Sequence, residues 1–151
     1  MASLANIRRL LGLSDHRQDV CDRGLDKARR SLVPLERDLY EIEHQIQGLN
    51  DLLQSHRAED LRISHAQLLA LLRRQAVIRR QIVNLTLDRV RVTSQHKGVV
   101  QELERLRETR KMMKKKHLKY QNLEQRLRGE NRARMLRQEE IDIEELLVSA
   151  K

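Results

Sequence analysis

The sequence predicts an all-α protein, specifically a long antiparallel two-helix coiled-coil hairpin. Charged residues make up 35% of the 151-residue chain, Phe and Trp are absent, and there are only two Tyr, so a core built on aromatic rings is not expected. Five Gly and one Pro are too few for a fold with many turns. Aliphatic residues recur at helical spacing, which favours helices over the disorder that so much charge would otherwise indicate.

A seven-residue repeat that begins at Leu4 predicts the first helix. Thirteen of its sixteen a and d positions are apolar, which is typical of a left-handed coiled coil. Gln18 and Gly24 weaken the pattern, and Pro34 is expected to kink or interrupt the helix near residues 30 to 34. The a positions are Leu4, Leu11, Gln18, Leu25, Leu32, Leu39, Ile46 and Leu53, and the d positions are Ile7, Ser14, Cys21, Ala28, Leu35, Ile42, Leu49 and His56.

A second repeat, after residue 64, predicts the second helix, with Ser64 as its candidate N-cap. All nine d positions are apolar, namely Leu71, Ile78, Leu85, Val92, Val99, Leu106, Met113, Tyr120 and Leu127. The a positions are weaker, because six of them are Gln75, Arg89, His96, Arg110, His117 and Glu124. This helix is therefore expected to present a narrow apolar stripe that suits one partner helix.

The two repeats are out of phase between His56 and Leu68, which indicates a turn between antiparallel helices. We expect a single α-helical hairpin over residues 1–151, with helix 1 at about 3–56, the turn at about 57–64 and helix 2 at about 65–147. In such a hairpin the apolar a and d residues of the two helices pack against each other within one chain, so the free protein is expected to be a monomer. A homodimeric coiled-coil scaffold without the hairpin is the alternative.

Charge is segregated along the chain. Residues 1–60 carry 9 Lys/Arg and 11 Asp/Glu, residues 61–137 carry 21 and 6, and residues 138–151 carry 1 and 5. The densest basic stretch, Arg105 to Lys119, is either a solvated helix surface or a surface that meets acidic partners. The rival functional interpretation is a basic coiled-coil protein that binds nucleic acid or an anionic surface. Nucleic acid is not expected as a partner, because stacking aromatic side chains and recognisable binding motifs are lacking.

No motif for catalysis or for a cofactor occurs. The five Gly are isolated and form no phosphate-binding loop, and the single Cys excludes an internal disulfide. We interpret Cys21 as a core residue and His96 and His117 as residues at the edge of the core, and we predict no catalytic, cofactor or metal site. No run approaches the roughly 20 apolar residues of a membrane span, and Met1 to Leu13 does not resemble a signal peptide.

The residues around the predicted turn resemble the InvI/SpaM-type stalk proteins of type III secretion systems. The resemblance rests on the run Leu-Leu-Arg-Arg-Gln-Ala-Val-Ile-Arg-Arg-Gln-Ile at residues 71–82, on Gly-Leu-Asn-Asp-Leu-Leu at 48–53 and on Arg-Ala-Glu at 57–59. This family is similar to the flagellar FliJ protein and, in shape, to the rotor helices of the F1 ATPase γ subunit.

The resemblance implies a central stalk at the cytoplasmic face of the secretion apparatus, in the bacterial cytoplasm, with no enzymatic activity of its own. The end that bears both termini would enter the pore of the hexameric secretion ATPase, and the other part would contact the cytoplasmic domain of the major export gate protein. Export chaperones are further implied partners.

Two sets of residues are expected to make these contacts. For the export gate they are Leu72, Arg73, Arg74, Gln75, Arg79 and Arg80, with seam packing as the alternative role for the leucine. For the ATPase they are Arg8, Arg9, Arg126, Arg128, Arg132, Arg134 and Arg137, with a solvated chain end as the alternative. We call these sets the gate set and the ATPase set.

Overall fold

A computed structural model describes residues 3–57 and 62–150 of the chain. These residues form two α-helices, α1 over Leu4–Ser55 and α2 over His65–Ser149. The described parts contain no strand, and the predicted all-α fold of two long packed helices is confirmed. Residues 58–61, in the middle of the predicted turn, lie outside the described residues.

Side-chain caps mark the start of both helices. The Ser3 hydroxyl accepts a hydrogen bond from the Asn6 backbone N–H at 3.2 Å. At α2, Ser64 Oγ accepts from Gln67 N–H at 3.2 Å, and Gln67 Oε1 accepts from Ser64 N–H at 3.0 Å. This reciprocal pair is a capping box, which satisfies two backbone donors that a helix start leaves open. The predicted N-cap role of Ser64 is confirmed.

Helix α1 runs through Pro34 without a break, so the predicted interruption near residues 30 to 34 is wrong, whereas the kink stays a prediction. Proline removes the N–H that would bond to the carbonyl of Arg30. Pro34 and Arg30 are both exposed, so water can satisfy that carbonyl. The adjacent seam residues Leu32 and Leu35 are partly buried, which shows that the proline sits on the outer face of an otherwise intact helix.

The chain divides into two compact units, each built from a stretch of both helices. Unit 1 comprises Met1–Leu25 and Arg105–Lys151, and unit 2 comprises Asp26–Glu104. Both chain ends therefore belong to unit 1, and the connection between the helices belongs to unit 2. The single hairpin domain over residues 1–151 stays a prediction.

The predicted a and d positions form the apolar seam in each unit. In unit 1, Ile7, Cys21 and Leu25 are 2%, 5% and 2% exposed, and Cys21 Sγ donates a hydrogen bond to the Leu106 carbonyl at 3.4 Å. In unit 2 the buried apolar residues are Ala28, Ile46, Ile78, Val92 and Leu103. Arg110 is the single exposed residue among the a and d positions, so both predicted registers and the core role of Cys21 are confirmed.

In unit 1 the polar a positions of α2 face e positions of α1. The closest atoms are 2.9 Å apart for Arg110 with Asp22, 3.5 Å for His117 with Asp15 and 3.5 Å for Glu124 with Arg8. Seven residues forward in α1 thus correspond to seven residues backward in α2, which defines an antiparallel pair. Exposed ion pairs contribute at most about 1 kcal/mol each, so their main effect is to fix the alignment.

Unit 2 repeats this arrangement. Arg89 Nη1 lies 2.9 Å from Glu43 Oε1, and His96 Nε2 lies 3.5 Å from Glu36 Oε1. Gln75, which is 8% exposed, donates from Nε2 to the His56 carbonyl at 2.7 Å. The polar a positions therefore serve the pairing of the helices, which explains why a weak apolar seam still packs.

Replacing Gln75 by alanine is expected to lower the free energy of unfolding by about 2 kcal/mol, because it leaves the part-buried His56 carbonyl without its donor and opens a small void. The matched control is Gln95, an exposed residue of α2 in the same unit, where alanine should cost less than about 0.5 kcal/mol. Urea unfolding followed by circular dichroism measures both. Equal effects at the two positions would contradict the structural role of Gln75.

Candidate functional site

The gate set lies in unit 2, near the start of α2. Leu72, Arg73, Arg74, Arg79 and Arg80 are all exposed, and Leu72 is 48% exposed. Because it occupies an e position and not the seam, the alternative role in seam packing does not apply to it. Gln75 differs from the rest, since it is buried and bonded to His56.

A shallow apolar groove runs beside the gate set. Leu52 of α1 and Val77 and Ile78 of α2 line it, together with His56, Arg73 and Arg74. Leu52 and Val77 are exposed, although neither was predicted to contribute to a site. A surface that combines apolar side chains with guanidinium groups can contact both the apolar and the acidic residues of a protein partner.

A second apolar groove lies further from the turn in the same unit. Leu49 and Leu85 form its floor, and Gln45, Gly48, Gln81 and Asn84 line the remainder. A Cβ atom at Gly48 would meet nothing within 4 Å, so the glycine leaves open space and not a tight approach.

The ATPase set lies in unit 1. Glu124 connects two members of the set, because its Oε1 atom lies 3.5 Å from Arg8 Nε and 2.8 Å from Arg128 Nη2. The other five, Arg9, Arg126, Arg132, Arg134 and Arg137, are exposed, and no partner is recorded for them within the described residues. The structure thus brings Arg8 and Arg128 together through a shared carboxylate.

Helix α2 continues well past its last contact with α1. Every residue from Arg128 to Ala150 is exposed, and we call residues 129–150 the tail. Residues 129–138 of the tail hold three arginines and one glutamate, and residues 139–150 hold five acidic residues and no basic one. Its exposed aliphatic side chains are Met135, Leu136, Ile141, Ile143, Leu146, Leu147 and Val148. No α1 residue covers these side chains, so the tail is a helix with an apolar and charged surface open to a partner.

The dense basic stretch, Arg105 to Lys119, is largely solvated. Arg110 pairs with Asp22 across the helices, and Lys111 Nζ lies 3.5 Å from Glu108 Oε1 in the same helix. Lys114, Lys115, Lys116 and Lys119 are exposed. These four ammonium groups, together with the guanidinium group of the exposed Arg107, could attract an anionic surface.

In the described parts of the chain, three or more His, Cys, Asp or Glu side chains nowhere gather closely enough to hold a metal ion.

Residues 4–55 and 65–149, the two helices, contain no stretch long and apolar enough to cross a membrane.

Residues 5–147 match the family model described as Salmonella surface presentation of antigen gene type M protein. The chain belongs to this family. The type M family is one of type III secretion components, so the resemblance found around the turn is confirmed and extends over nearly the whole chain. The chain matches no curated protein and no solved structure.

The residues matched to the type M family, 5–147, include all thirteen residues of the gate and ATPase sets. The sets lie in different units, with the gate set in unit 2 and the ATPase set in unit 1. Sequence reasoning missed the exposed aliphatic residues beside the gate set and further along α2, such as Val77, Val83 and Val90. These valines could have been found from the sequence, because apolar residues at heptad positions other than a and d are expected to be exposed. The prediction considered only the a and d positions.

Proposed function

We propose that this type M protein is the central stalk of the type III secretion ATPase complex. In this role the chain is not an enzyme and needs no cofactor. It works in the bacterial cytoplasm, at the cytoplasmic face of the apparatus, as a monomer that enters a hexameric ATPase. It links ATP hydrolysis on that partner to the export gate, and export chaperones are additional partners.

The tail carries this proposal. In unit 1, which holds both chain ends, α2 extends beyond α1 as an exposed helix with five arginines of the ATPase set on or near it. A single helix that protrudes from a two-helix coiled coil is narrower than the coiled coil itself, so it can enter a pore that the pair cannot. Its mixed basic and acidic side chains suit a pore lined by several identical subunits, because such a lining presents the same groups in every direction.

The gate set supports the second half of the proposal. Its four arginines and Leu72 form an exposed surface beside the apolar groove of Leu52 and Val77. Interfaces between proteins are enriched in arginine, and the fully buried centre of an interface is more apolar than the rest of the surface. We assign this surface to the cytoplasmic domain of the export gate protein. Gln75 supports it from behind through its bond to His56.

Reversing charge in the gate set, with Arg73→Glu and Arg74→Glu together, is expected to weaken binding to the purified cytoplasmic gate domain by about tenfold or more. The acidic residues of the gate domain would lose their arginine partners, and the new glutamates would repel those acidic residues. Isothermal titration calorimetry measures the affinity. The matched control is Lys114→Glu with Lys115→Glu, which changes the net charge equally in unit 1 and should alter the affinity by less than about twofold.

Two results would contradict the assignment. If the control pair weakens binding as much as the gate pair, the gate domain responds only to overall charge. If neither pair weakens it, the contact lies elsewhere.

The rival function, binding to nucleic acid or another anionic surface, rests on the four exposed lysines between 114 and 119. Such binding loses affinity steeply with salt and accepts any polyanion. Titration of random duplex DNA at two salt concentrations distinguishes the functions. A DNA-binding function predicts a Kd below about 1 μM at physiological salt that rises steeply with salt, whereas a stalk protein should bind DNA no tighter than about 10 μM.

A further inference from the structure

Helix α2 carries a second heptad pattern that the pairing with α1 does not use. Its b and e positions in unit 2 hold mostly apolar or threonine side chains, at alternating spacings of three and four residues. We call this set the outer seam, and it consists of Leu69, Leu72, Ala76, Val83, Thr86, Val90, Thr93 and Val100. Arg79 and Lys97 are the two interruptions in the series.

Six of the eight outer-seam residues are exposed, and Thr86 and Val100 are partly buried. Leu69, Leu72, Val83 and Val90 are 42%, 48%, 57% and 62% exposed. Leu87, which adjoins Val83 and Val90 at the f position, is also exposed. The a and d residues of the same stretch are partly or fully buried against α1, so the hairpin leaves the outer seam without a partner.

This pattern is confined to one stretch of the chain. After Val100 the b and e positions of α2 become Glu104, Arg107, Lys111 and Lys114. In α1 the e positions include Asp15, Asp22, Glu36 and Glu43, so α1 has no equivalent stripe. If α2 simply had many aliphatic residues throughout, its b and e positions would stay apolar after Val100. The outer seam is therefore a specific feature of unit 2.

The spacing indicates the kind of element that covers it. Apolar residues three and four apart accept the side chains of another helix as knobs into holes, whereas an extended peptide places side chains on one face every second residue. The occupant that fits the outer seam is therefore a helix, and the seam spans about four heptads of contact.

The charges around the outer seam indicate which kind of helix can bind it. Arg79 and Lys97 interrupt the seam, and Arg73 and Arg80 flank it at f positions, all exposed. Within the described residues no ion-pair partner is recorded for these four. Glu36 and Glu43, by contrast, already pair with His96 and Arg89 of α2. A second copy of α2 would bring the same basic groups together, which disfavours self-association.

We infer that the outer seam binds an amphipathic helix of another protein, whose apolar stripe is flanked by acidic side chains. The outer seam shares Leu72 with the gate set and continues beyond it to Val100. The part beyond Arg80 belongs to neither proposed contact of the stalk, so binding at that part does not depend on the ATPase and gate assignments.

The test uses two synthetic helical peptides of about four heptads with the same Leu and Ile seam. Glu flanks the seam in one peptide and Lys in the other, and like charge keeps each peptide monomeric. Fluorescence anisotropy measures their binding to the full chain. The Glu peptide should bind at least about tenfold more tightly than the Lys peptide.

Variants then locate the binding site. Val83→Gln with Val90→Gln is expected to weaken binding of the Glu peptide by about tenfold. Val33→Gln is the control, because Val33 is 55% exposed, close to the 57% of Val83, but belongs to α1 and not to the outer seam. It should change the affinity by less than about twofold. Glutamine keeps the helix and adds no charge, so the comparison isolates the apolar contact.

Several results would overturn the inference. They are failure of both peptides to bind, equal binding of the two, and full affinity in the Val83 and Val90 variant. A concentration-dependent dimer in sedimentation equilibrium that this variant abolishes would assign the outer seam to a second copy instead. Normal binding of the gate domain by the same variant would show that the gate contact is separate.

Discussion

Replacing Leu25 by alanine is expected to lower the free energy of unfolding by about 3 kcal/mol, the largest effect of any single substitution considered for this chain. Leu25 is an a residue of unit 1 and only 2% exposed. The substitution removes apolar area from the seam and leaves a cavity that two helices cannot close by rearranging. Urea unfolding followed by circular dichroism measures the change.

Leu118 provides the matched control for Leu25. It also lies in unit 1, and the same Leu→Ala change removes the same atoms, but the residue is 53% exposed. Its substitution should cost less than about 0.5 kcal/mol. Similar losses at both positions would mean that Leu25 does not belong to the seam and that the assigned register of α1 is incorrect.

Removing residues 129–151 is expected to reduce stimulation of the secretion ATPase by about tenfold or more while leaving the helix pair folded. The removed part holds Arg132, Arg134 and Arg137 of the ATPase set and the exposed aliphatic residues of the tail. No described residue of the tail packs on α1, so the melting temperature should change by no more than about 2 °C. ATP hydrolysis and thermal unfolding are measured on the same preparation.

A scrambled tail of equal length and composition controls for bulk charge and for crowding at the pore. It should stimulate as weakly as the truncated chain, and both variants should bind the gate domain with the affinity of the unmodified chain. Full stimulation by the truncated chain would exclude the tail from the ATPase contact and leave Arg8, Arg9, Arg126 and Arg128 as the remaining candidates.

The fold was predictable because its main determinant is periodic. The a and d residues of both helices, the Ser64 cap and the core position of Cys21 all follow from local spacing, and each is confirmed. The interruption predicted at Pro34 is wrong because only the apolar a and d positions of the register were used, although the same register places this proline at a c position. At a c position, its missing hydrogen bond falls on the solvent side, and α1 continues.

The residue pairs between α1 and α2 were harder to predict than the periodicity of each helix. The polar a residues of α2 looked like defects, since their partners in α1 lie far away in sequence. The ion pairs of Arg110 with Asp22 and of Arg89 with Glu43 show that these residues connect α2 to α1. The outer seam was missed for a related reason, because one heptad register had already accounted for α2. The gate and ATPase sets depend on partners and therefore stay predictions.

The central claim is tested most directly by ATP hydrolysis of the purified hexameric secretion ATPase from the same bacterium, measured while the full chain is titrated into it. A stalk that occupies one central pore should raise the rate until about one chain is present per hexamer, and no further. The account would be contradicted by a rate that does not change. It would equally be contradicted by saturation at about six chains per hexamer, because that stoichiometry places the chain on the outside of every subunit.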